Sequence, residues 1–286
     1  MITIVIPCFH SEKIIEDRIL EIGKKFKILI IENSKNSNLK KKLESIYKNV
    51  EVILPNENLG WGRAANLGII SSKTDFVFLT QPDVKIIDNC IEKLNDLVNH
   101  FKDFTVITPH DVGNSNFINY EVYGNYPKEN VVKNFRLEQV DHVDLTWLIN
   151  KSNFENRDLW DENIFLYFEA MDFAKRLKKN EKKIFVVKNI KTFHIGSSSH
   201  DKSLSHYALL TRSWHYNWSK FYFLKKHFGY FYALRKSLSL FLKLNKKIIK
   251  SIFLFKKKDF FYALAEIRGL VNSIFLRSSS YRPYKN

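Results

Sequence analysis

The sequence predicts an α/β protein with a Rossmann-like, mostly parallel sheet and helices on both faces, followed by a basic helical region. Three observations predict this fold class. Apolar, β-branched runs alternate with helical patterns over the first hundred residues, the rhythm of strand–helix–strand units. The 286 residues are 45% hydrophobic, enough to bury a full core. Lysine and arginine are concentrated near the carboxyl end.

Five strands and four helices are predicted in the first 110 residues. The strands are apolar runs at residues 2–9, 27–31, 50–54, 76–80 and 104–108. The helical patterns between them lie at residues 11–22, 36–47, 64–70 and 88–101. Residues 120–138 are predicted to form a loop. Parallel strands end at one edge of a sheet, where open α/β sheets bind ligands. Ligand-binding residues are therefore expected at Pro7 to His10, including Phe9, and at Glu32 to Ser34, Asn56 to Arg63 and Gln81 to Asp83.

The positive charge is unevenly distributed. Residues 1–219 carry 30 Lys and Arg against 28 Asp and Glu, whereas residues 220–286 carry 16 against 2. Aromatic and aliphatic residues interleave with the basic ones in this second region. The pattern favours an amphipathic basic region on an anionic membrane surface. A solvated basic face packed on the core is the alternative, and nucleic-acid binding is the least favoured interpretation.

The N-terminus and the cysteines bear on the expected location. Residues 1–9 lack a basic leader and read as a buried strand rather than a signal peptide. Only Cys8 and Cys90 are present, so no disulfide framework is indicated. We expect a cytoplasmic protein that is peripheral on the inner face of the cytoplasmic membrane.

Three carboxylates, at two places in the sequence, and one imidazole lie at the ends of predicted elements. Asp83 closes a buried strand, Glu169 and Asp172 follow an apolar stretch, and His194 lies farther along. Together they predict a site for Mg²⁺ or Mn²⁺ with a nearby base. Taken singly, each has a structural alternative: Asp83 as a turn or cap residue, the acidic pair as a solvated helix face, and His194 as a core histidine.

A glycine-containing connection enters the third predicted helix. It includes Asn58, Gly60, Arg63 and Asn66, and the helix start would attract a phosphate group. Neither the dinucleotide fingerprint nor the phosphate-binding loop of nucleotide triphosphatases is present. An ordinary turn is the alternative interpretation.

These motifs, in this order, resemble the family 2 nucleotide-diphosphate-sugar glycosyltransferases with the GT-A fold, and in particular their rhamnosyltransferase-like branch. The similarity covers about residues 1–230. It is carried by Ile4 to Pro7, Ile30 to Ser34, Asn58 to Gly68, Gln81 to Asp83, Phe165 to Glu169 and His194 to Gly196.

The resemblance implies roles for individual residues. Glu32 stands where the family usually has an aspartate that contacts the base or ribose. Asp83 matches the metal-binding aspartate of the D-x-D motif, whose first position is Gln81 here, and His194 matches a histidine that completes the metal's coordination in some members. Where many relatives have Glu-Asp, this chain has Glu169 and Ala170.

The resemblance therefore implies an inverting, metal-dependent glycosyltransferase. Glu169 is the expected base, with Asp172 as the reserve. The donor would be a dTDP- or UDP-linked sugar, rhamnose being favoured, and the acceptor a lipid-linked or soluble glycan. Residues 1–110 would form the donor half and 111–205 the acceptor half of one domain, with 206–286 as the basic helical region. Because of Ala170, a catalytically impaired membrane-associated glycan-binding or scaffold protein is the alternative.

Overall fold

The computed structural model describes residues 1–113, 118–126, 130–154, 159–196 and 205–282. The chain forms two compact units. The first comprises Met1–Trp160 and Phe173–Asp201, and the second comprises Asp161–Asp172 and Lys202–Asn286.

The first unit begins with the alternating strands and helices that the sequence predicts. Its elements in order are β1 (Ile2–Cys8), α1 (Glu12–Ile22), β2 (Lys27–Glu32), α2 (Ser37–Ile46), β3 (Val50–Ile53), α3 (Gly60–Ser71), β4 (Phe76–Leu79), β5 (Val84–Ile86), α4 (Cys90–His100) and β6 (Val106–Asp111).

The rest of the first unit adds short strands. They are β7 (Tyr120–Glu121), β8 (Asn130–Val132), β9 (Phe135–Gln139), β10 (His142–Val143), β11 (Trp147–Asn150) and, after α5 (Glu169–Lys179), the long β12 (Ile184–His194). The predicted loop at residues 120–138 is wrong in part, because β7, β8 and most of β9 lie in it. Strands β7 and β9 have partners farther along the chain, β10 and β12, and β8 pairs with the neighbouring β9 over three residues only. Local composition did not reveal strands this short.

The central sheet has the strand order β3-β2-β1-β4-β11-β6-β12-β9-β8. Strands β3, β2, β1 and β4 pair in parallel, and β12 pairs in parallel with β6. Strand β11 runs antiparallel between β4 and β6. The predicted α/β class with a mostly parallel sheet is confirmed.

Burial in the first unit follows the apolar pattern. All seven residues of β1 are buried, as expected for a strand in the middle of a sheet covered on both sides. Helix α1 buries Ile15, Ile19 and Ile22, which recur at helical spacing. These residues belong to one core that includes Ile4 and Phe78.

The second unit is helical. It contains α6 (Ser205–Phe228), α7 (Tyr230–Phe253) and α8 (Lys257–Ile274), and α8 packs against both other helices. Trp214 and Trp218 of α6 pack with Ala265 of α8. Segment Asp161–Asp172 joins this unit, a grouping that the sequence did not predict. No helix in the described part of the chain is long and apolar enough to cross a membrane.

Candidate functional site

The parallel register aligns the strand ends that were predicted to bind a ligand. Cys8 of β1 pairs with Glu32 of β2, and Val5 pairs with Leu79 of β4. The residues that follow these strands therefore lie at one edge of the sheet. They include Phe9, Gln81 and Asp83. Glu32 is the last residue of β2, and Pro7 is the next-to-last residue of β1.

Asp83 and His194 come together at this edge because of one antiparallel pairing. Strand β5, directly after Asp83, pairs with the end of β12, so that Val84 lies opposite His194. The Ile195 amide donates to the Asp83 carbonyl at 2.9 Å. This backbone pairing brings the two side chains together, and His194 Nε2 lies 3.5 Å from Asp83 Oδ2.

The backbone of His194 is held from a second side. Its amide donates to Asp111 Oδ1 at 2.8 Å. A Cβ atom at Gly113 would lie 2.3 Å from the His194 carbonyl oxygen, so only glycine allows this approach. The imidazole is therefore positioned by backbone contacts from two neighbouring segments.

The charges around His194 favour its protonated form when no cation is present. The interaction with Asp83 raises the pKa of His194 above its ordinary value, although burial opposes the change. The negative charges of Asp111 and Asp144 act in the same direction as Asp83. This acidic surrounding would equally stabilise a divalent cation, in competition with the proton.

The donor set fits a hard divalent cation. Asp83 is 5% exposed, and its Oδ1 is buried without a hydrogen-bond partner in the described structure. An orphaned carboxylate oxygen of this kind is costly unless a cation or another donor satisfies it. Within the described residues, no three His, Cys, Asp or Glu side chains group to hold a metal ion. Asp83 and His194 would thus supply two protein ligands.

Gln81 is fixed by the segment before β11. Its Nε2 donates to the Leu145 carbonyl at 3.4 Å, and Leu145 has a positive φ of 68°. Asp144 accepts from the Leu145 amide at 2.7 Å. Asp111 and Asp144 were not predicted as site residues. Asp111 follows the predicted strand at residues 104–108, and this position at a strand end could have indicated it.

Glu32 is fully buried and its carboxylate is engaged locally. One oxygen accepts from the amide of Ser34 at 3.0 Å and from its hydroxyl, and the other accepts from the Asn36 amide at 2.6 Å. Asn36 in turn caps α2 by accepting from the Leu39 amide. Glu32 therefore shapes the connection between β2 and α2.

The glycine connection is tied to the end of β2. Asn33 Nδ2 donates to the Gly60 carbonyl at 3.4 Å, and Asn33 Oδ1 accepts from the Leu59 amide at 3.2 Å. Asn58 accepts from the Gly60 amide, and Gly60 has a φ of 76° that favours glycine. The start of α3 is thus held beside the strand ends.

Arg63 and Asn66, both on α3, have different surroundings. Arg63 pairs with Glu57 at 2.9 Å on the surface. Asn66 is buried, and its amide group bonds both ways with the backbone of Trp160, at 2.9 and 3.0 Å. The structure gives Asn66 a scaffolding role that joins residues 94 positions apart.

Glu169 begins α5, in the part of that helix that belongs to the second unit. The two residues before it, Tyr167 and Phe168, both have a φ of 68°. Positive φ at two successive aromatic residues is strained, and such strain is concentrated at functional sites. Glu169 is partly exposed.

Asp172 lies one turn farther along and is 0% exposed. Its Oδ1 lies 2.7 Å from Lys226 Nζ and 2.8 Å from His227 Nε2. Lys226 also pairs with Asp161 at 2.6 Å. Burial opposes ionisation of Asp161, but the hydrogen bond from Lys226 lowers its pKa below the ordinary value. These groups form a charged cluster inside the second unit.

Residues 3–176 match the family model described as "Glycosyl transferase family 2", which is more than half of the chain. No curated protein matches the sequence significantly.

Several solved structures resemble the fold. A mannosyltransferase from Pyrobaculum calidifontis, in complex with GDP-Man and Mn²⁺, has a TM-score of 0.55 at 8% identity and covers 96% of this chain and 87% of its own. S. aureus TarS 1-349 in complex with UDP has a TM-score of 0.51 at 14% identity, covering 93% and 90%. GalNAc-T7 with UDP, GalNAc and Mn²⁺ has a TM-score of 0.53 at 13% identity, covering 80% and 52%.

Proposed function

Because the chain belongs to glycosyl transferase family 2 and is a glycosyltransferase, we propose that it moves a sugar from a nucleotide diphosphate to a hydroxyl group of a glycan acceptor, with inversion at the anomeric carbon. The observation that carries the proposal is the Asp83–His194 pair. It lies at the edge where parallel strands end, and one buried carboxylate oxygen has no described partner.

The donor is proposed to bind along the strand ends. Pro7, Phe9, Glu32, Asn58, Gly60, Arg63, Asn66, Gln81 and Asp83 are the proposed donor-site residues. Glu32 and Asn66 would act by shaping the backbone, as their hydrogen bonds indicate. The nucleotide is proposed to be UDP or dTDP. Structural neighbours contain GDP-Man or UDP, which supports a nucleotide-linked donor without selecting the base.

Asp83 and His194 would hold Mg²⁺ or Mn²⁺. Neighbours solved with Mn²⁺ support a divalent cation. When bound, the cation would supply positive charge for the leaving diphosphate, whose oxygens and water would complete its coordination. Asp83 is well suited to this because it is buried and one of its side-chain oxygens has no hydrogen-bond partner in the described structure.

Glu169 is the proposed general base. As the acceptor oxygen forms its bond to the anomeric carbon, the proton of that hydroxyl moves to the Glu169 carboxylate. The bond between the anomeric carbon and the phosphate oxygen breaks, and its electron pair stays on the diphosphate. A general base of this kind typically increases the reaction rate by about 10²- to 10⁴-fold. Partial exposure of Glu169 supports this role, whereas Asp172 is buried against Lys226 and His227.

The finer proposals concern the sugar, the acceptor and the location. Rhamnose is favoured as the sugar by the sequence resemblance, and a lipid-linked glycan is favoured as the acceptor by the basic region at residues 220–286. The same region supports a peripheral position on the inner face of the cytoplasmic membrane. Ala170 supports the alternative, a membrane-associated glycan-binding protein with weak or no activity.

Calorimetric titration tests the proposed donor site. UDP, dTDP and GDP are titrated into the protein with Mn²⁺ or Mg²⁺ and again with a chelator. We expect one of the first two nucleotides to bind with metal, and Asp83→Asn to weaken this binding at least tenfold. Asp88→Asn is the matched control, because Asp88 is an exposed carboxylate five residues away. Equal affinity of wild type and Asp83→Asn, or binding that ignores the chelator, would contradict the proposal.

A further inference from the structure

Helix α7 presents a stripe of large apolar side chains to solvent. The stripe consists of Phe231, Leu234, Leu238, Leu242, Ile249 and Ile252. Phe231 is 84% exposed, and Leu238 is 59% exposed. Isolated apolar residues on a surface are ordinary, but a continuous row of this kind marks an interaction surface.

The row follows one face of the helix. Its members are separated by three, four or seven residues, the spacings that return to the same side of an α-helix. From Phe231 to Ile252 the face extends about 32 Å at 1.5 Å per residue. The stripe is therefore a long, narrow band and not a small hydrophobic pocket.

A different face of α7 packs inside the second unit. The buried residues of the helix are Ala233, Ser237, Leu244 and Ser251. Three of these four are small, which lets α7 approach its neighbours closely while contributing little apolar area. Tyr230, Leu240 and Phe241 also pack against the interior of the second unit. The stripe residues lie on a different side of the helix and are not part of this packing.

Basic residues lie beside the stripe. Arg235, Lys243, Lys246 and Lys250 are exposed on α7, and α7 contains no acidic residue. Lys247 differs from them because it pairs with Glu266 of α8 at 3.2 Å. An apolar band with an adjacent basic sector is typical of helices that lie in the interface of an anionic bilayer.

The end of α7 and the start of α8 continue the same pattern. Phe253 is 78% exposed and Phe255 is 92% exposed. Three exposed lysines follow directly at Lys256–Lys258. Exposed aromatic rings beside lysines suit the boundary between lipid headgroups and acyl chains.

We infer that α7 lies flat on an anionic phospholipid bilayer, with the stripe in the acyl boundary and the basic sector among the headgroups. A second copy of the chain is a poor occupant of this face, because two such faces would bring like charges together. The inference adds a specific contact surface to the proposed membrane association. Its biological purpose, access to a lipid-linked acceptor, rests on the proposed function.

Vesicle co-sedimentation tests the inference. The probes are vesicles of phosphatidylcholine and phosphatidylglycerol at about three to one, and vesicles of phosphatidylcholine alone. The stripe variant Leu238→Gln/Leu242→Gln/Ile249→Gln should bind the anionic vesicles about 10²-fold more weakly than wild type. Glutamine keeps the helix propensity and removes the apolar surface.

The matched control is Leu20→Gln/Ile46→Gln/Ile70→Gln. These three residues are 65%, 55% and 65% exposed and also lie on helices, in the first unit. The control should bind vesicles as wild type does. Equal binding by the stripe variant and this control would overturn the inference.

A charge variant separates the two components of binding. Lys243→Gln/Lys246→Gln/Lys250→Gln should lose about fivefold in affinity for each lysine on anionic vesicles, with little change on neutral ones. An unchanged affinity for anionic vesicles would exclude the basic sector from the contact.

Two further measurements separate this inference from its alternatives. The stripe variant should bind nucleotide as tightly as wild type does. If the wild-type protein binds vesicles but binds no nucleotide, the proposed function is refuted and the membrane inference stands. Analytical sedimentation in the absence of lipid tests self-association. A dimer that the stripe substitutions abolish, together with no vesicle binding by wild type, would assign the stripe to a second copy and overturn the inference.

Discussion

Strand β1 and helix α7 both have apolar-rich sequences but differ in which residues they bury. Every residue of β1 is buried, including Ile2, Ile4 and Ile6 at 0% exposure. In α7 the buried positions include Ala233 and Ser237, while larger residues face solvent. Apolar content in the first unit therefore stabilises the fold. Much of the apolar content of α7 is available for contact with another surface.

Asp83 in the first unit and Asp172 in the second are buried carboxylates with different partners. In the first unit, Asp83 keeps one oxygen without a described partner, at the end of a buried strand. In the second unit, Asp172 is closed off by Lys226 and His227. A buried carboxylate with a free oxygen can bind a ligand, whereas a buried carboxylate with two cationic partners mainly holds its own unit together.

The largest expected effect concerns Glu169, the residue of the second unit that we assign to chemistry. Glu169→Gln should lower the turnover rate by about 10²- to 10⁴-fold, because the amide cannot accept the acceptor's proton. The measurement is release of nucleoside diphosphate in the presence of acceptor. Nucleotide affinity and vesicle binding should not change.

Glu181→Gln is the control for this substitution, since Glu181 is exposed. If Glu169→Gln keeps the wild-type rate, the base is another group, and the second unit loses its assigned catalytic residue.

Glycine substitutions compare the packing of the two units. A Cβ atom at Gly269 would lie 2.0 Å from the Trp214 carbonyl oxygen, and at Gly68 it would lie 2.3 Å from Val5 Cγ1. The backbone at Trp214 can yield less than the Val5 side chain. We expect Gly269→Ala to lower the free energy of unfolding by about 3 kcal/mol and Gly68→Ala by about 1 kcal/mol. Denaturant unfolding measures both, and the reverse order would contradict the comparison.

His215 should make the second unit sensitive to acid. Burial lowers the pKa of His215 to about 3, from an ordinary value of 6.5. As the pH falls below 6.5, His215 becomes protonated in the unfolded chain but stays neutral in the folded protein. The free energy of unfolding therefore decreases progressively down to pH 3. The loss between pH 6.5 and pH 5 should be about 2 kcal/mol. Hydrogen exchange in α6 at pH 7 and pH 5 reports this change.

His215→Gln should flatten that pH dependence, whereas His100→Gln, at an exposed histidine of α4, should not. An equal acid sensitivity in wild type and His215→Gln would show that other groups cause it.

The smallest expected effect sharpens the comparison most directly. Leu242→Gln removes a large apolar side chain that is 54% exposed, and the free energy of unfolding should change by less than about 0.5 kcal/mol. Ile4→Val in β1, which removes only one methyl group from a 0%-exposed residue, should cost about 1 kcal/mol. If Leu242→Gln destabilises the protein more than Ile4→Val does, α7 buries its stripe within the protein.

The order of strands and helices in the first 110 residues could be predicted from the sequence. Periodicity is a local property, and the runs that form β1, β2 and β4 are short, apolar and bounded by polar residues. The carboxyl-end positions of Glu32 and Asp83 followed from this order, because parallel pairing aligns strand ends.

The contacts that complete the candidate site could not be derived in the same way. His194 meets Asp83 only because β5 pairs with the end of β12, more than a hundred residues later. Asn66 bonds to Trp160 across a similar separation. Such pairings depend on the packed fold, and the motif resemblance indicated the roles of Asp83 and His194 without showing their geometry.

The turn between α7 and α8 has a practical consequence. Lys256 at the end of this turn and Lys257 and Lys258 at the start of α8 are exposed, and the flanking Phe255 is almost fully exposed. A protease that cuts after lysine therefore meets three successive exposed lysines where the turn enters α8. Brief trypsin digestion should cleave the chain near this turn first, and a surface bound to the turn would delay the cut. The rate of this one cleavage therefore measures whether a membrane or another partner covers this part of the protein.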